Sequence, residues 1–481
     1  MFDRLSRGML IGGPLLAAAI GIAANASGLS MPASGCAALA LLCAFWWIFE
    51  CLDIAVVGLV PFIGLPLLGI VSHKDVAASY GHTMILLLLG GFLLSAAMQR
   101  SGAHRRIAIW MVRLVGGHGG RRMVLGFMLA TSVLSMWISN AATTLMMLPI
   151  ALAVLQQAGD PRLRTPMLLG IAYAASIGGM ATPIGTPPNV ILMGQLEDRF
   201  GSAMPFATWM SIGLPITLIL LPVIWWYVTR SGGASAPVSI PPLDPISQAE
   251  VRILGVFVVT AMLWIFRTGP GGGWSGWLGP PGAMIGDATV ALAASLFLFI
   301  CPSGNPIARE EPSVDPAATG HSPNDRVDRL LDWPTASTIP WGILIMFGGG
   351  LALARGFDAS GLSQAIGGQL TFLEQAPPWL IVLSICVLVT FLTEITSSTA
   401  TATLLLPILA ELSVQVDLPP AMLMVPGTIS CSCAFMLPVA TAPNVIVFGA
   451  GGIRTDEMAR TGLALNVVAA LLITAVVMIR F

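Results

Sequence analysis

The feature that most restricts this chain is a series of apolar runs long enough to cross about 30 Å of hydrocarbon. They fall at 8–28, 35–50, 54–70, 83–100, 166–194, 208–228, 249–267, 283–301, 340–357, 421–449 and 460–480. Inside a bilayer no water satisfies a backbone N–H or C=O, so such runs fold as helices or closed barrels. Runs of this length predict an all-α polytopic protein with about eleven transmembrane helices. Two further apolar stretches, 123–158 and 377–413, are interrupted at their middles by small polar residues and read as re-entrant hairpins that need not cross. Only 9% of the 481 residues are charged, against about a quarter in a soluble domain. Lipid is therefore the main solvent of this surface.

Orientation follows from the cations. With the N-terminus inside, 17 of the 22 Lys and Arg fall in cytoplasmic segments, including Arg100, Arg105, Arg106, Arg113, Arg121 and Arg122, the bias of the positive-inside rule. MFDRLSR followed by 8–28 resembles a signal peptide but is expected to remain as an anchor, so 1–34 is read as an N-terminal transmembrane helix. The polar, Pro-rich stretches 229–248 and 302–333 are expected to be a cytoplasmic linker and loop. A net charge of −1 without basic-aromatic interleaving excludes nucleic acid as a partner. The seven cysteines lack zinc-site spacing. All five histidines (73, 82, 104, 118 and 321) are read as loop residues.

The chain also repeats itself. GGFLLSAAMQRSG at 90–102 parallels GGGLALARGFDASG at 348–361, with Ser101-Gly102 matching Ser360-Gly361 at an offset of 259. SNAATTLMMLPI (139–150) parallels SSTATATLLLPI (397–408), and TPIGTPPNVILMG (182–194) parallels LPVATAPNVIVFG (437–449), at offsets of 258 and 255. Units of five crossings plus one hairpin have odd parity, so the second copy enters the membrane upside down. The expected domains are 35–228, with hairpin 123–158 and broken helix 166–194, and 249–481, with hairpin 377–413 and broken helix 421–449. Secondary transporters with inverted repeats bind substrate near the midplane, at broken helices.

Three motif pairs could carry chemistry there. Ser135 and Ser139 share a helix face beside the reversal at Asn140. Converging hydroxyl, amide and carbonyl oxygens suit Na⁺. The second hairpin offers Thr393, Thr396, Ser397, Ser398 and Thr399. Prolines flanking Gly185-Thr186 and Ala440-Thr441-Ala442 require both helices to unwind; the half-helices restarting near Asn189 and Asn444 then present N–H groups to an anion. Glu394 is the one clear intramembrane ionisable residue, whereas Asp53, Asp287 and Glu50 are read as interfacial. The spans hold no nucleophile with a base and no metal-spaced His and carboxylates, so an enzyme is not expected.

On LLLLGGFLL, SMWISN, SIGGMATPIGTPPN, PWGILIMFGGGLALARGF, TEITSSTATATLLLPI and SCSCAFMLPVATAPN, the sequence resembles the divalent anion:sodium symporter family of dicarboxylate, citrate and sulfate carriers, over nearly its whole length. The resemblance implies a homodimer with a fixed scaffold domain and a transport domain that moves as an elevator. Carried onto this chain, it implies one Na⁺ site at Ser135, Ser139, Asn140 and the Gly185 region, and a second at Thr393, Ser397 and the Ala440 region. It implies substrate contacts from Asn140, Thr186, Thr399 and Thr441. Three positions depart from the family pattern: Ala141 lacks a hydroxyl, Ser398 replaces an amide, and Ala442 stands in place of proline. Losing one hydroxyl at Ala141 and one amide at Ser398 enlarges the substrate site and removes hydrogen-bonding groups, changes that alter preference.

The expected function is sodium-coupled symport of a small divalent anion, a C4-dicarboxylate or sulfate-like oxyanion, by an elevator mechanism in a bacterial-type inner membrane. The alternatives are a sodium-independent anion exchanger of the same fold and, further off, an ion channel or an intramembrane enzyme.

Overall fold

The structure, a computed structural model, describes residues 2–116, 119–230, 243–268, 272–304, 328–369, 373 and 375–481. Most of the expected linker 229–248 and loop 302–333, together with His118 and His321, lies outside the described residues.

Helices account for nearly all the described chain. Eight are long and apolar enough to cross a bilayer: Gly8–Ala26, Met31–Ile48, His73–Ser101, Asn140–Ala158, Phe206–Thr229, Gln248–Ile265, Trp341–Ser360 and Thr455–Arg480. Seven of these match expected crossings. The eighth is the second arm of the first hairpin, which was not expected to be span-length. Of the remaining runs, 283–301 forms the shorter Asp287–Ile300, and 54–70 splits into Ile54–Gly58 and Val60–Leu67. The other two, 166–194 and 421–449, split as their prolines predict, giving Arg164–Gly179 with Pro187–Phe200 and Pro420–Cys431 with Ala442–Gly449. Large apolar side chains such as Leu15, Ile22, Leu296, Leu388 and Leu471 remain exposed, as lipid-facing residues do.

The two hairpins are Gly120–Ser135 with Asn140–Ala158, and Pro378–Thr393 with Ser398–Gln415. Both turns are four residues long and end on a serine N-cap in extended conformation, Ser139 (φ −53, ψ 143) and Ser397 (φ −66, ψ 135). Small residues let these helices approach closely, the usual device where lipid removes any hydrophobic drive between helices. A Cβ on Gly178 would lie 2.4 Å from Ser132 O, at the contact between Arg164–Gly179 and the first arm of the first hairpin.

Matched motifs adopt matched geometry. Thr83–Ser101 and Trp341–Ser360 both end on left-handed glycines, Gly102 and Gly361, at φ 78. In each, the terminal serine hydroxyl donates three residues back, to Met98 O and Phe357 O, and accepts the N–H two residues ahead. The packing between halves is crosswise. The second arm of the first hairpin lies against Ala442–Gly449, and the second arm of the second hairpin lies against Pro187–Phe200.

Candidate functional site

The unwound segments are built by prolines and held by asparagines. A residue before proline is driven out of the α region, and Thr186, before Pro187, is extended at φ −145, ψ 142. Thr441, the matching N-cap, sits at φ −140, ψ 153. Asn189 Nδ2 donates to Gly179 O (3.0 Å) and Thr182 O (2.8 Å), and Asn444 Nδ2 donates to Ala434 O and Leu437 O, both 3.0 Å. Each asparagine thus stitches its own break at the same two offsets. Both are fully buried, and the Oδ1 of each is unpartnered.

The first oxygen set converges. Ser135 is fully buried, and its Oγ lies 2.7 Å from both Asn140 Oδ1 and Ala175 O. A hydroxyl carries one proton, so it donates to one of these oxygens at a time. Gly179 adjoins the same place: a Cβ there would lie 2.5 Å from Asn140 Oδ1 and 3.1 Å from Gly185 O. The structure therefore brings Ser135, Asn140 and the Gly185 carbonyl together around a point open only because residue 179 is glycine. Ser139 is used as the cap, its Oγ accepting the Ala142 N–H at 3.4 Å. Thr186 is buried, with no side-chain capping bond. Ala141 is half-buried at the start of its helix.

The second set is looser. Thr393, fully buried, donates to Cys431 O at 3.1 Å, echoing the Ser135 to Ala175 bond at nearly the same offset. Ala440 is buried in the turn Pro438–Ala440. Ser397, however, is exposed and caps without a side-chain bond. Ser398 and Thr399 are half-buried, Ala442 is exposed, and Thr441 Oγ accepts the Asn444 N–H at 3.4 Å. Thr396 turns away from this set to Leu392 O and Thr401.

Several contributors were invisible in sequence. The carbonyls of Ala175 and Cys431 carry no side-chain signature. Trp137, in the first turn, stacks on Phe206 (6.0 Å between centroids) and Trp264 (6.4 Å) and meets Phe257 edge-on. Glu394 is not alone as a buried carboxylate. Glu411, 3% exposed, pairs with Arg199, which also reaches Asp358 at 3.2 Å. Asp287 is buried too and pairs with Arg267. Of the described histidines, His82 caps the start of Thr83–Ser101 as a loop residue would, whereas His73 opens the helix His73–Tyr80. His104 lies within Ala103–Gly116, its Nδ1 2.9 Å from Met98 O.

Comparison with known proteins bears on the whole chain. The profile of the citrate transporter family matches residues 44–425. The sodium-dependent dicarboxylate transporters SdcS of Staphylococcus saprophyticus and Staphylococcus aureus are 39% and 38% identical over 462 residues, covering 92% of this chain and 84% of each relative. Among solved structures, the YdaH transporter of Alcanivorax borkumensis aligns at a TM-score of 0.56 with 13% identity, over 84% of this chain and 86% of that one. MtrF of Neisseria gonorrhoeae aligns at 0.56 with 14% identity, over 84% and 83%. At such identities these two structures are similar in fold alone.

Proposed function

The chain belongs to the citrate transporter family, among its divalent anion:sodium symporters, and from that premise we propose that it carries a C4-dicarboxylate into the cell by sodium-coupled symport. The observation that carries the reading is the first oxygen set: Ser135 Oγ, with one proton, lies between Asn140 Oδ1 and Ala175 O beside the Gly185 carbonyl. A hard cation with oxygen ligands suits that surplus of acceptors. No Lys or Arg lies in either hairpin turn or either unwound segment. A dianion there is held by Thr186, Thr399, Thr441, Asn140 and Ser398, by the helix N-termini, and by Na⁺ itself. Na⁺ completes the anion site, so each ligand strengthens the other by the same factor.

The matched caps, matched asparagine stitches and crosswise packing support two oppositely inserted halves whose hairpins re-enter from opposite faces and whose turns close one midplane pocket. Ala141 and Ala442 widen that pocket. The working unit is a homodimer, with the hairpins and broken helices moving as an elevator against a scaffold that includes Trp341–Ser360. The N-terminus is cytoplasmic and the membrane is the cell's inner membrane. Purified protein in liposomes tests the function. Labelled succinate should accumulate under an inward Na⁺ gradient and stop when K⁺ replaces Na⁺. Uptake that persists without Na⁺ and requires internal dianion would replace symport with exchange.

A further inference from the structure

We propose that Glu394 is the positioning residue of the second cation site, its carboxylate fixing the unwound segment that leads to Ala440 and supplying the single formal charge in either hairpin turn. The inference rests on the sodium-coupled reading above and deepens it by assigning a residue that belongs to neither oxygen set.

Glu394 follows Thr393 directly and is 3% exposed. Its Oε1 accepts the N–H groups of Phe435 (2.7 Å) and Met436 (2.9 Å) and Nδ2 of Asn466 (2.6 Å), while Oε2 accepts the N–H of Leu437 (2.9 Å). Successive backbone N–H groups aimed at one anion form a nest, and hydrogen bonds to an ionised acceptor are roughly twice as strong as neutral ones. The same segment is held from its other side. Tyr173, in the first broken helix, donates to Phe435 O at 2.7 Å. A Cβ on Gly462 would lie 2.1 Å from that oxygen, and Asn466, four residues on, shares the face of the last helix. Both hairpin and helix neighbours therefore converge on Phe435–Leu437, three residues ahead of Ala440.

The first half has no counterpart. Met136 occupies the position matching Glu394 at the hairpin offset of 258, and there the backbone carbonyl receives the Thr182 hydroxyl. One joint is neutral and the other is charged. Four N–H donors engage the Glu394 carboxylate, three at Oε1 and one at Oε2, and its role is to position the segment rather than to ligate the cation. In a low-dielectric interior its charge still acts over distance: it favours a cation at Thr393 and Ala440 and opposes a dianion arriving alone.

The test is succinate uptake in proteoliposomes with Na⁺ titrated, for the unaltered protein, Glu394→Gln, Glu394→Asp and Asn466→Ala. Glu394→Gln removes the charge and sets an amide donor against N–H groups. It should raise half-saturating Na⁺ by about tenfold or more, with the succinate KM at saturating Na⁺ changed far less. Asn466→Ala keeps the charge, removes one of four donors and should raise half-saturating Na⁺ less than Glu394→Gln does, by about threefold. Glu394→Asp, too short to span all four donors, should not rescue. Should Glu394→Gln fail to fold, Asn466→Ala and Glu394→Asp carry the same readout. An unchanged Na⁺ requirement, with only maximal rate or melting temperature lowered, overturns the inference while leaving symport standing. An unaltered protein that ignores Na⁺ overturns the proposed function and this inference with it.

Discussion

At Gly179 a single hydrogen in place of a methyl group decides whether Asn140 and Gly185 can share a point, because a Cβ would sit 2.5 Å from Asn140 Oδ1. Overpacking of this kind costs about 1–3 kcal/mol, and 1.4 kcal/mol is about tenfold in affinity. Gly179→Ala should therefore raise the Na⁺ needed for half-maximal uptake by roughly tenfold, read from the same titration, while the protein still elutes as a folded species. Ser135→Ala should lose the thermal stabilisation that Na⁺ gives, since it removes one of the converging oxygens. The two asparagine stitches make a matched prediction. Asn189→Leu removes a donor from the carbonyls of Gly179 and Thr182, and Asn444→Leu does the same to Ala434 and Leu437, with Thr182 O keeping the Gly185 N–H and Leu437 O the Ala440 N–H. A buried carbonyl left without a donor costs about 1–3 kcal/mol, so the two variants should lower the melting temperature by similar amounts. A large loss for one and none for the other would show that the two breaks are not held alike.

Between elements, the charges that matter are those that tie one helix to another. Arg199 closes Pro187–Phe200 onto Ser398–Gln415 through Glu411 and reaches Asp358 of Trp341–Ser360. Removing one partner of a buried pair leaves an uncompensated charge and costs about 3–5 kcal/mol, whereas apolar replacement of both is often neutral. Glu411→Leu should thus be strongly destabilised, and Glu411→Leu with Arg199→Met largely restored, by thermal melting in detergent. At the C-terminal end of Thr83–Ser101, Arg100 pairs with Asp328 and Asp332. Burial pushes the Asp332 carboxyl up, but hydrogen bonds from Thr335 and the Arg100 guanidinium outweigh it and hold the carboxyl below its ordinary range. A carboxyl depressed in the folded state stabilises above its unfolded range and loses that contribution as pH falls through its folded value. The melting difference between the protein and Asp332→Asn should therefore be present at neutral pH and shrink below about pH 4.

For the whole molecule, the proposed elevator is tested where the helices proposed to move are tied to those proposed to stay fixed. Asp198 lies 3.2 Å from His82 and 3.4 Å from Arg355, beside the Arg199 to Asp358 pair. These bridges cross between Pro187–Phe200 and the helices Thr83–Ser101 and Trp341–Ser360. An element that travels must release them, so weakening them should shift the balance of states rather than abolish folding. Asp198→Arg and Arg355→Asp should each change the uptake rate, and the exchanged double variant should recover most of it, a coupling that a double-mutant cycle isolates. The proposed homodimer is tested by native mass, expected at twice 50.2 kDa.

Apolar runs, prolines and capping residues act locally, and so the helices, the breaks within 166–194 and 421–449, and the positions of both hairpin turns were all legible in sequence. So was the grouping of Ser135 with Asn140, because side-chain oxygens advertise themselves, whereas the Gly185 carbonyl entered only through the family resemblance. The length of Asn140–Ala158 and the shortness of Asp287–Ile300 were not legible, since interruptions in an apolar run do not fix where its helix stops. Nor was the exposure of Ser397, which depends on what packs over its turn. Glu411 with Arg199, Asn466 with Glu394, and Trp137 on Phe206 join residues 212, 72 and 69 positions apart, and no local rule links them. Sequence by itself determined the solvent, the helices and their breaks, because those depend on each segment's own hydrogen bonds and apolar length. Only the tertiary structure decided which carbonyl, charge or ring each broken end meets, because that is set by which helices pack together.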